Sequence, residues 1–388
     1  ENMLCVACSC CLVHRYAGRH QNVVKFCFTD TQVFTFTFYC MSSSATKPAV
    51  LIIRLSAMGD IVMASGLPSS LKQHFDNDVT ISWLVESPYA ALVAGHPDVD
   101  NVINWPKQEW QALAKSRRYL ALFKALLRFR RTLRALQFDL VVDAQGLLKS
   151  ALLAWFTGAR KRVGFNSKEH SQWFLTQSFD KPLSDDISSE YKFLAGKFSN
   201  APYQLTLQVN EQDRITVHDR LKEEGVHGNF IVIAPFTTRP QKHWLLPYWH
   251  QLIAMLGKDG YQVIILGGPA DKNNAEHLAS ANSHCLSLAG SLSLTQSAAV
   301  IEQCAALIGV DTGLTHMGMV YQRPTVAIFG STRPYTQTQN PHARILYADL
   351  SCAPCKRRPV CDGHFDCMQA ITSEQVFSTL QGLQYPCV

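Results

Sequence analysis

The chain is poor in several features that would otherwise set its class. It has no G-x-G-x-x-G loop, so a standard dinucleotide fingerprint is absent. No apolar run is long and unbroken enough to cross a bilayer, and none near the start ends in a small-residue cleavage site, so neither a membrane span nor a secretory signal is read. Cysteine is scarce through the centre. Between Cys40 and Cys352 only Cys285 and Cys304 occur, and both read as core thiols. A disulfide scaffold would not leave the main body so bare, so a reducing, cytoplasmic setting is expected. Charged residues make up 17% of the chain and the formal net charge is +6. That excess suits anionic ligands or an anionic membrane surface, but with no binding motif it gives no case for nucleic acid. There is no short-period repeat.

What is present is enough chain, 388 residues with 47% hydrophobic, for two domains with cores of their own. Residues 1–47 read as an unstructured or non-native leader. Met41 is the expected natural start, and a targeting or metal-binding extension is the competing reading. A first α/β domain is expected over 48–205, a linker over 206–228, a second α/β domain over 229–347, and a cysteine-rich tail with a closing helix over 348–388.

The first domain is organised around Leu51-Ile52-Ile53-Arg54-Leu55-Ser56-Ala57-Met58-Gly59-Asp60, an apolar strand running into a small-residue turn that carries an acid. In open α/β folds ligands bind at such carboxyl ends, although an acid there can also be a mere helix cap. A second strand, Phe138 to Asp143, ends the same way. Asp143, Gln145 and Lys149 then fall in the layer of Asp60 and, with Arg54, are candidates for an acceptor-binding rim. Between these strands, residues 111–137 hold eight Lys or Arg interleaved with Leu120, Phe123, Leu127 and Leu133. This predicts an amphipathic helix with a basic face, suited to a phosphorylated glycolipid or to the inner face of an anionic membrane.

The second half repeats the architecture. The strand Phe230–Ala234 leads to Thr237-Thr238-Arg239-Pro240-Gln241-Lys242, a loop of hydroxyls and cations suited to phosphate oxygens. Gly267-Gly268 ends another strand, with Asp271 and Glu276 as candidates to accept from a ribose. The strand ending at Val310 meets Asp311-Thr312-Gly313-Leu314-Thr315-His316, where the unpaired amides of a helix N-terminus could meet an anion. Near the end, Cys352, Cys355, Cys361 and Cys367 follow C-x2-C-x5-C-x5-C, a spacing that could hold a structural zinc or an iron–sulfur site, or leave reduced thiols around a compact loop.

Taken in order, the Arg54–Asp60, Asp143–Ser150, Phe236–Trp244 and Asp311–His316 motifs resemble the bacterial ADP-heptose:lipopolysaccharide heptosyltransferases, glycosyltransferase family 9. The resemblance covers most of 48–370 and leaves the first forty residues unmatched. It implies a GT-B fold, two Rossmann-like domains facing across a cleft, with the acceptor on the first and the nucleotide-sugar on the second. It implies inverting transfer of heptose from ADP-heptose to the inner core of lipopolysaccharide, first-heptose in type, with no cofactor required for catalysis. Asp60 matches the family's general base and Lys242 the lysine near the donor phosphates. Thr237, Thr238, Asp311, Thr312, Gly313 and His316 match its donor-binding positions. The expected partners are ADP-heptose, the lipopolysaccharide acceptor and, peripherally, the inner leaflet. The alternatives are second-heptose transfer, a different sugar, and a non-catalytic nucleotide- or glycan-binding protein built on a metal site.

Overall fold

The computed structural model describes residues 24–27, 33–36, 47–332, 334–355 and 359–383. The chain divides into two compact units, Glu1–Lys47 and Pro48–Val388. In the first, where no structure is expected, β1 (Val24–Cys27) and β2 (Val33–Phe36) form an antiparallel pair, with Val24 opposite Phe36 and Cys27 opposite Val33. The alternation Val33-Phe34-Thr35-Phe36 has the period of a strand. Met41, the expected start, lies outside the described residues.

The second unit contains two six-stranded parallel sheets. The first is built from β3 (Ala49–Ile53), β4 (Thr80–Glu86), β5 (Asn101–Trp105), β6 (Leu140–Asp143), β7 (Lys161–Phe165) and β8 (Gln177–Phe179), in the order β5-β4-β3-β6-β7-β8. The second comprises β9 (Phe230–Ala234), β10 (Gln262–Ile265), β11 (Cys285–Ser287), β12 (Ala306–Val310), β13 (Thr325–Phe329) and β14 (Ala343–Tyr347), in the order β11-β10-β9-β12-β13-β14. The two orders are the same. β3 and β9 are central in their sheets, and Val50–Ile53 and Ile231–Ile233 are fully buried. A strand covered on both faces needs an unbroken apolar run, which these sequences supply.

The order reverses between β3 and β6 in one sheet and between β9 and β12 in the other. Such switch points open a crevice at the carboxyl ends of the strands. The four expected site motifs follow β3, β6, β9 and β12, so the topology alone brings them to two crevices.

Residues 206–228, expected to be a linker, carry the helix Glu211–Glu223, capped by the Asn210 side chain, which accepts from the Asp213 amide at 2.7 Å. Val217 and Leu221 are buried, and Arg214 grips Glu302 with two hydrogen bonds of 2.7 and 2.8 Å. With only those two positions buried, its sequence gives little periodic signal. The basic stretch is two helices, Lys107–Lys115 and Tyr119–Ala135, broken where Arg117 adopts φ of +55°. In the tail, Thr372 caps the helix Ser373–Gln381, and Trp244 Nε1 donates to Ile371 O at 2.8 Å.

Candidate functional site

A cleft of about 830 Å³ is lined by the turns after β3, β9, β10 and β12, together with Glu190, Tyr191, Phe329, Thr332 and Tyr335. That volume is in the range of small-ligand sites.

On the first wall, Asp60 sits in the first turn of the helix Met58–Met63. Its Oδ2 accepts from the Ala57 amide at 3.2 Å, so it does act as a helix cap. The same oxygen is paired with Arg54 Nη2, and the Tyr191 hydroxyl reaches Oδ1 at 3.4 Å. The Asp60 side chain remains 39% exposed, open to the cleft, whereas that of Arg54 is 5% exposed. Arg54 also donates to Ala144 O at 3.0 Å and lies 5.6 Å from the Tyr191 ring centre. It is therefore a buried positioning residue behind Asp60, and not part of an acceptor rim.

Two more acceptor candidates prove to be scaffolding. Asp143 is fully buried and accepts from the amides of Gln145 (3.0 Å) and Gly146 (3.2 Å) and from Ser150 Oγ (3.0 Å). Gln145, also buried, accepts through Oε1 from the amides of Leu55 (2.9 Å) and Ser56 (3.2 Å). Together they tie the turn after β6 to the turn after β3, and neither lines the cleft. Lys149 lies 5.3 Å from the Trp105 ring centre, also away from the cleft lining, and partial burial lowers its pKa.

Burial pushes the Asp143 carboxyl up from 3.8 to about 6, despite its three hydrogen bonds. A group whose pKa is raised on folding favours the folded state below its unfolded value, and that contribution is lost as pH rises through the folded value. Asp143 should therefore weaken the fold progressively between about pH 4 and pH 6. Asp143→Asn, which keeps an acceptor for the two amides, should flatten that part of the stability profile in urea unfolding. Asp143→Ala should cost about 1–3 kcal/mol, because buried amides lose their acceptor. Neither change should alter the KM for acceptor; a raised KM in the asparagine variant would return Asp143 to the rim.

The second wall is centred on Asp311. Its Oδ2 accepts from Lys242 Nζ and from Thr332 Oγ1, both at 2.5 Å, and Oδ1 lies 3.4 Å from His316 Nε2. Burial alone would raise its pKa, but the hydrogen bond from His316 and the charge of Lys242 outweigh it and hold Asp311 well below the usual carboxylate range. His316 Nδ1 is 2.7 Å from the Tyr335 hydroxyl, which burial keeps protonated. In the neutral ring, Nδ1 then accepts from Tyr335 and Nε2–H faces Asp311.

The walls touch at two glycines. A Cβ on Gly59 would sit 2.6 Å from His316 Cδ2, and one on Gly313 would sit 2.5 Å from Met58 Cε. Only glycine allows this approach, and it sets Asp60 beside the Asp311 group. Thr237, Thr238, Thr312 and Arg239 also line the cleft. His243 fixes their loop through Nε2 to Thr237 O at 2.8 Å.

Of the two ribose candidates, Asp271 lines the cleft and accepts from the Gly268 amide at 2.8 Å. Glu276 is exposed, 3.9 Å from Lys272, and is not among the residues lining the cleft. Sequence reasoning missed Tyr191, Thr332 and Tyr335. Thr332 stands in a strand-end loop visible in the sequence, whereas Tyr191 lies in a weakly patterned region without a motif.

The four tail cysteines expected as zinc ligands lie near one another: burial, and after it the nearby Cys352, Cys355 and Cys361, push the Cys367 thiol up. Cys367 is buried in the second core beside Met368, with Sγ directed at Gly330. Among the described residues no group of three or more His, Cys, Asp or Glu side chains is placed to hold a metal ion. Lys356, Arg357 and Arg358 lie outside the described residues. Cys304 is fully buried and Cys285 half-buried, and burial pushes both thiols up to about 12. Both are inert core thiols.

Comparison with known proteins agrees with this geometry. The model for glycosyltransferase family 9 (heptosyltransferase) matches residues 126–364, more than half of the chain. Lipopolysaccharide heptosyltransferase 1 of Pseudomonas aeruginosa is 27% identical over 320 residues, covering 80% of this chain and 86% of that protein. Lipopolysaccharide heptosyltransferase 2 of Escherichia coli K12 is 26% identical over 354 residues, covering 86% and 98%. The solved structure of E. coli ADP-heptose lps heptosyltransferase II shares the fold, with a TM-score of 0.68 at 22% identity over 86% of this chain and 98% of that one.

Proposed function

Because the chain belongs to glycosyltransferase family 9, the heptosyltransferase family, we propose that it transfers heptose from ADP-heptose to the inner core of lipopolysaccharide, as the first-heptose enzyme. The observation that carries this reading is the pairing of walls: an Arg54-held carboxylate, Asp60, beside the Lys242–Asp311–His316 group.

In the proposed reaction an acceptor hydroxyl attacks the anomeric carbon of the heptose from the face opposite the leaving ADP. A carbon–oxygen bond forms as the bond to the diphosphate breaks, and the configuration inverts. Asp60 takes the hydroxyl proton as general base. Arg54 supports this role by aiming the carboxylate, with Tyr191 steadying the second oxygen. Negative charge grows on the departing diphosphate. Lys242, oriented by Asp311, and the amides of Thr312 and Gly313 stabilise it. Thr237 and Thr238 offer hydroxyl donors to the phosphates and Asp271 an acceptor to the ribose, while His316, facing Asp311 through Nε2, helps hold that carboxylate against Lys242. The site needs no metal in this scheme, since a lysine and helix-end amides already oppose the diphosphate charge.

The acceptor is lipid-anchored, so the enzyme is placed at the cytoplasmic face of the inner membrane, in peripheral contact. No helix among the described residues is long and apolar enough to cross a membrane. Second-heptose transfer is the other reading, favoured by the coverage of E. coli heptosyltransferase 2 (86% of this chain and 98% of that one). The test is incubation with ADP-heptose in excess EDTA and an acceptor truncated at the innermost acidic sugars. A heptose-sized mass gain with an inverted linkage is expected. Turnover only after adding a divalent cation, or retention at the anomeric carbon, would overturn the mechanism.

A further inference from the structure

The helical pair Lys107–Lys115 and Tyr119–Ala135 takes no part in the transfer chemistry, yet it concentrates the positive charge of the molecule. Residues 110–138 contain eight Lys or Arg and no Asp or Glu. The formal net charge of the whole chain is +6, less than this stretch carries, so the remainder has no positive excess. A helix that only faces water usually mixes signs and gains i,i+4 pairs. Here none of the eight cations is ion-paired with a carboxylate among the described residues.

The exposed side of this pair is also apolar at one end. Tyr119, Leu120 and Phe123 are 64%, 81% and 59% exposed. Leu120, Lys124, Arg128 and Arg131 recur at helical spacing, so the apolar tip continues into a cationic face. The helix turns Ala125 and Leu133 inward.

The position of the tip follows from the aromatic contacts. Trp105 ends β5 at the carboxyl edge of the first sheet and packs on Trp110, 6.0 Å between ring centres. Trp110 in turn packs on Phe129 at 5.5 Å. Through Trp110, Phe129 of the longer helix is thus tied to that edge. Leu120 is nine residues earlier, about 14 Å nearer the start of a helix that returns the chain from β5 to the amino end of the parallel strand β6, so the tip lies toward the carboxyl edge. This is the edge whose turns carry Asp60.

We propose that the tip of this helical pair docks the enzyme on an anionic lipid bilayer. Tyr119, Leu120 and Phe123 enter the interfacial layer, while Arg117, Arg118 and the cations of the longer helix meet headgroup phosphates. Docked in this way, the cleft sits at the membrane surface, where a lipid-anchored hydroxyl can reach Asp60. The inference deepens the transferase reading and rests on its lipid-anchored acceptor.

The test is sedimentation of the full chain with vesicles of phosphatidylethanolamine and phosphatidylglycerol, against vesicles of phosphatidylcholine. The wild type should bind the anionic vesicles and be released by salt, because the attraction is screened. Leu120→Ser with Phe123→Ser, and separately Arg117→Glu with Arg118→Glu, should each reduce binding by about tenfold or more. All four side chains are exposed, and unchanged thermal unfolding will show that the folds are intact. Transfer to a lipid-free acceptor fragment should equal the wild type in both variants. Equal wild-type binding to both vesicle types, no binding, or wild-type-like binding by both variants would overturn the proposal. Failure of the wild type on the lipid-free fragment would count against the transferase reading instead, since vesicle binding uses neither sugar.

Discussion

Asp60→Asn should lower transfer by about 10²–10⁴-fold, the usual contribution of a positioned general base, while ADP binds within about threefold of the wild type. The amide is nearly isosteric and can still accept from the Ala57 amide. It cannot take a proton from the attacking hydroxyl, and it leaves Arg54 without its counter-charge. That second effect will weaken the fold, so thermal unfolding must accompany the kinetics. ADP binding separates the two causes, because the donor turns after β9 and β12 belong to the other sheet. Arg54→Lys supplies a further control: it keeps a positive charge but loses the fork that holds Ala144 O and Asp60 together. It should lower kcat less than Asp60→Asn does. Near-wild-type transfer by a folded Asp60→Asn protein would remove Asp60 from the base role.

Lys242→Ala should lower kcat/KM for the donor by about 10²–10³-fold, comparable to losing one preorganised donor to a developing anion. The structure adds a reason for a large loss. Lys242 is bonded to Asp311 at 2.5 Å, and Asp311 stays ionised far below the usual carboxylate range. Removing the lysine leaves an unneutralised carboxylate facing the diphosphate, so attraction is replaced by repulsion. The double variant Lys242→Ala with Asp311→Asn should therefore recover part of the loss, a non-additivity that a double-mutant cycle will measure. Unchanged donor kinetics in Lys242→Ala would sink its phosphate role. A double variant no better than the single one would show that Asp311 acts only as scaffold.

Much of this arrangement is legible in the chain because it is written in local pattern. Leu51-Ile52-Ile53 and Ile231-Val232-Ile233 are apolar without alternation, which marks strands covered on both faces, and each is followed by a turn rich in small or polar residues. Identical strand orders then bring those turns to the two switch points. What the pattern does not carry is direction and distance. Asp143 and Gln145 stand at a strand end as Asp60 does, but their side chains turn inward, Asp143 to the amides of its own turn and Gln145 to those of the turn after β3. Tyr191 meets Asp60 across 131 residues of sequence, a contact no spacing rule reaches. Glu276 and Asp271 are alike in chemistry, and only the cap on Gly268 places Asp271 in the cleft. The helix Glu211–Glu223 was hidden for the opposite reason, since it buries two residues and shows water a polar remainder. Tail spacing suggested four ligands, and Cys352, Cys355 and Cys361 do lie near Cys367, whose thiol also packs beside Met368 in the second core.

The most direct measurement follows acceptor mass and ADP release together in one reaction, with ADP-heptose and a lipopolysaccharide acceptor bearing only its innermost acidic sugars. The account predicts one heptose-sized mass gain for each ADP released. ADP release without product, on this acceptor and on one already carrying a heptose, would contradict it, as would no turnover by a folded protein that binds ADP.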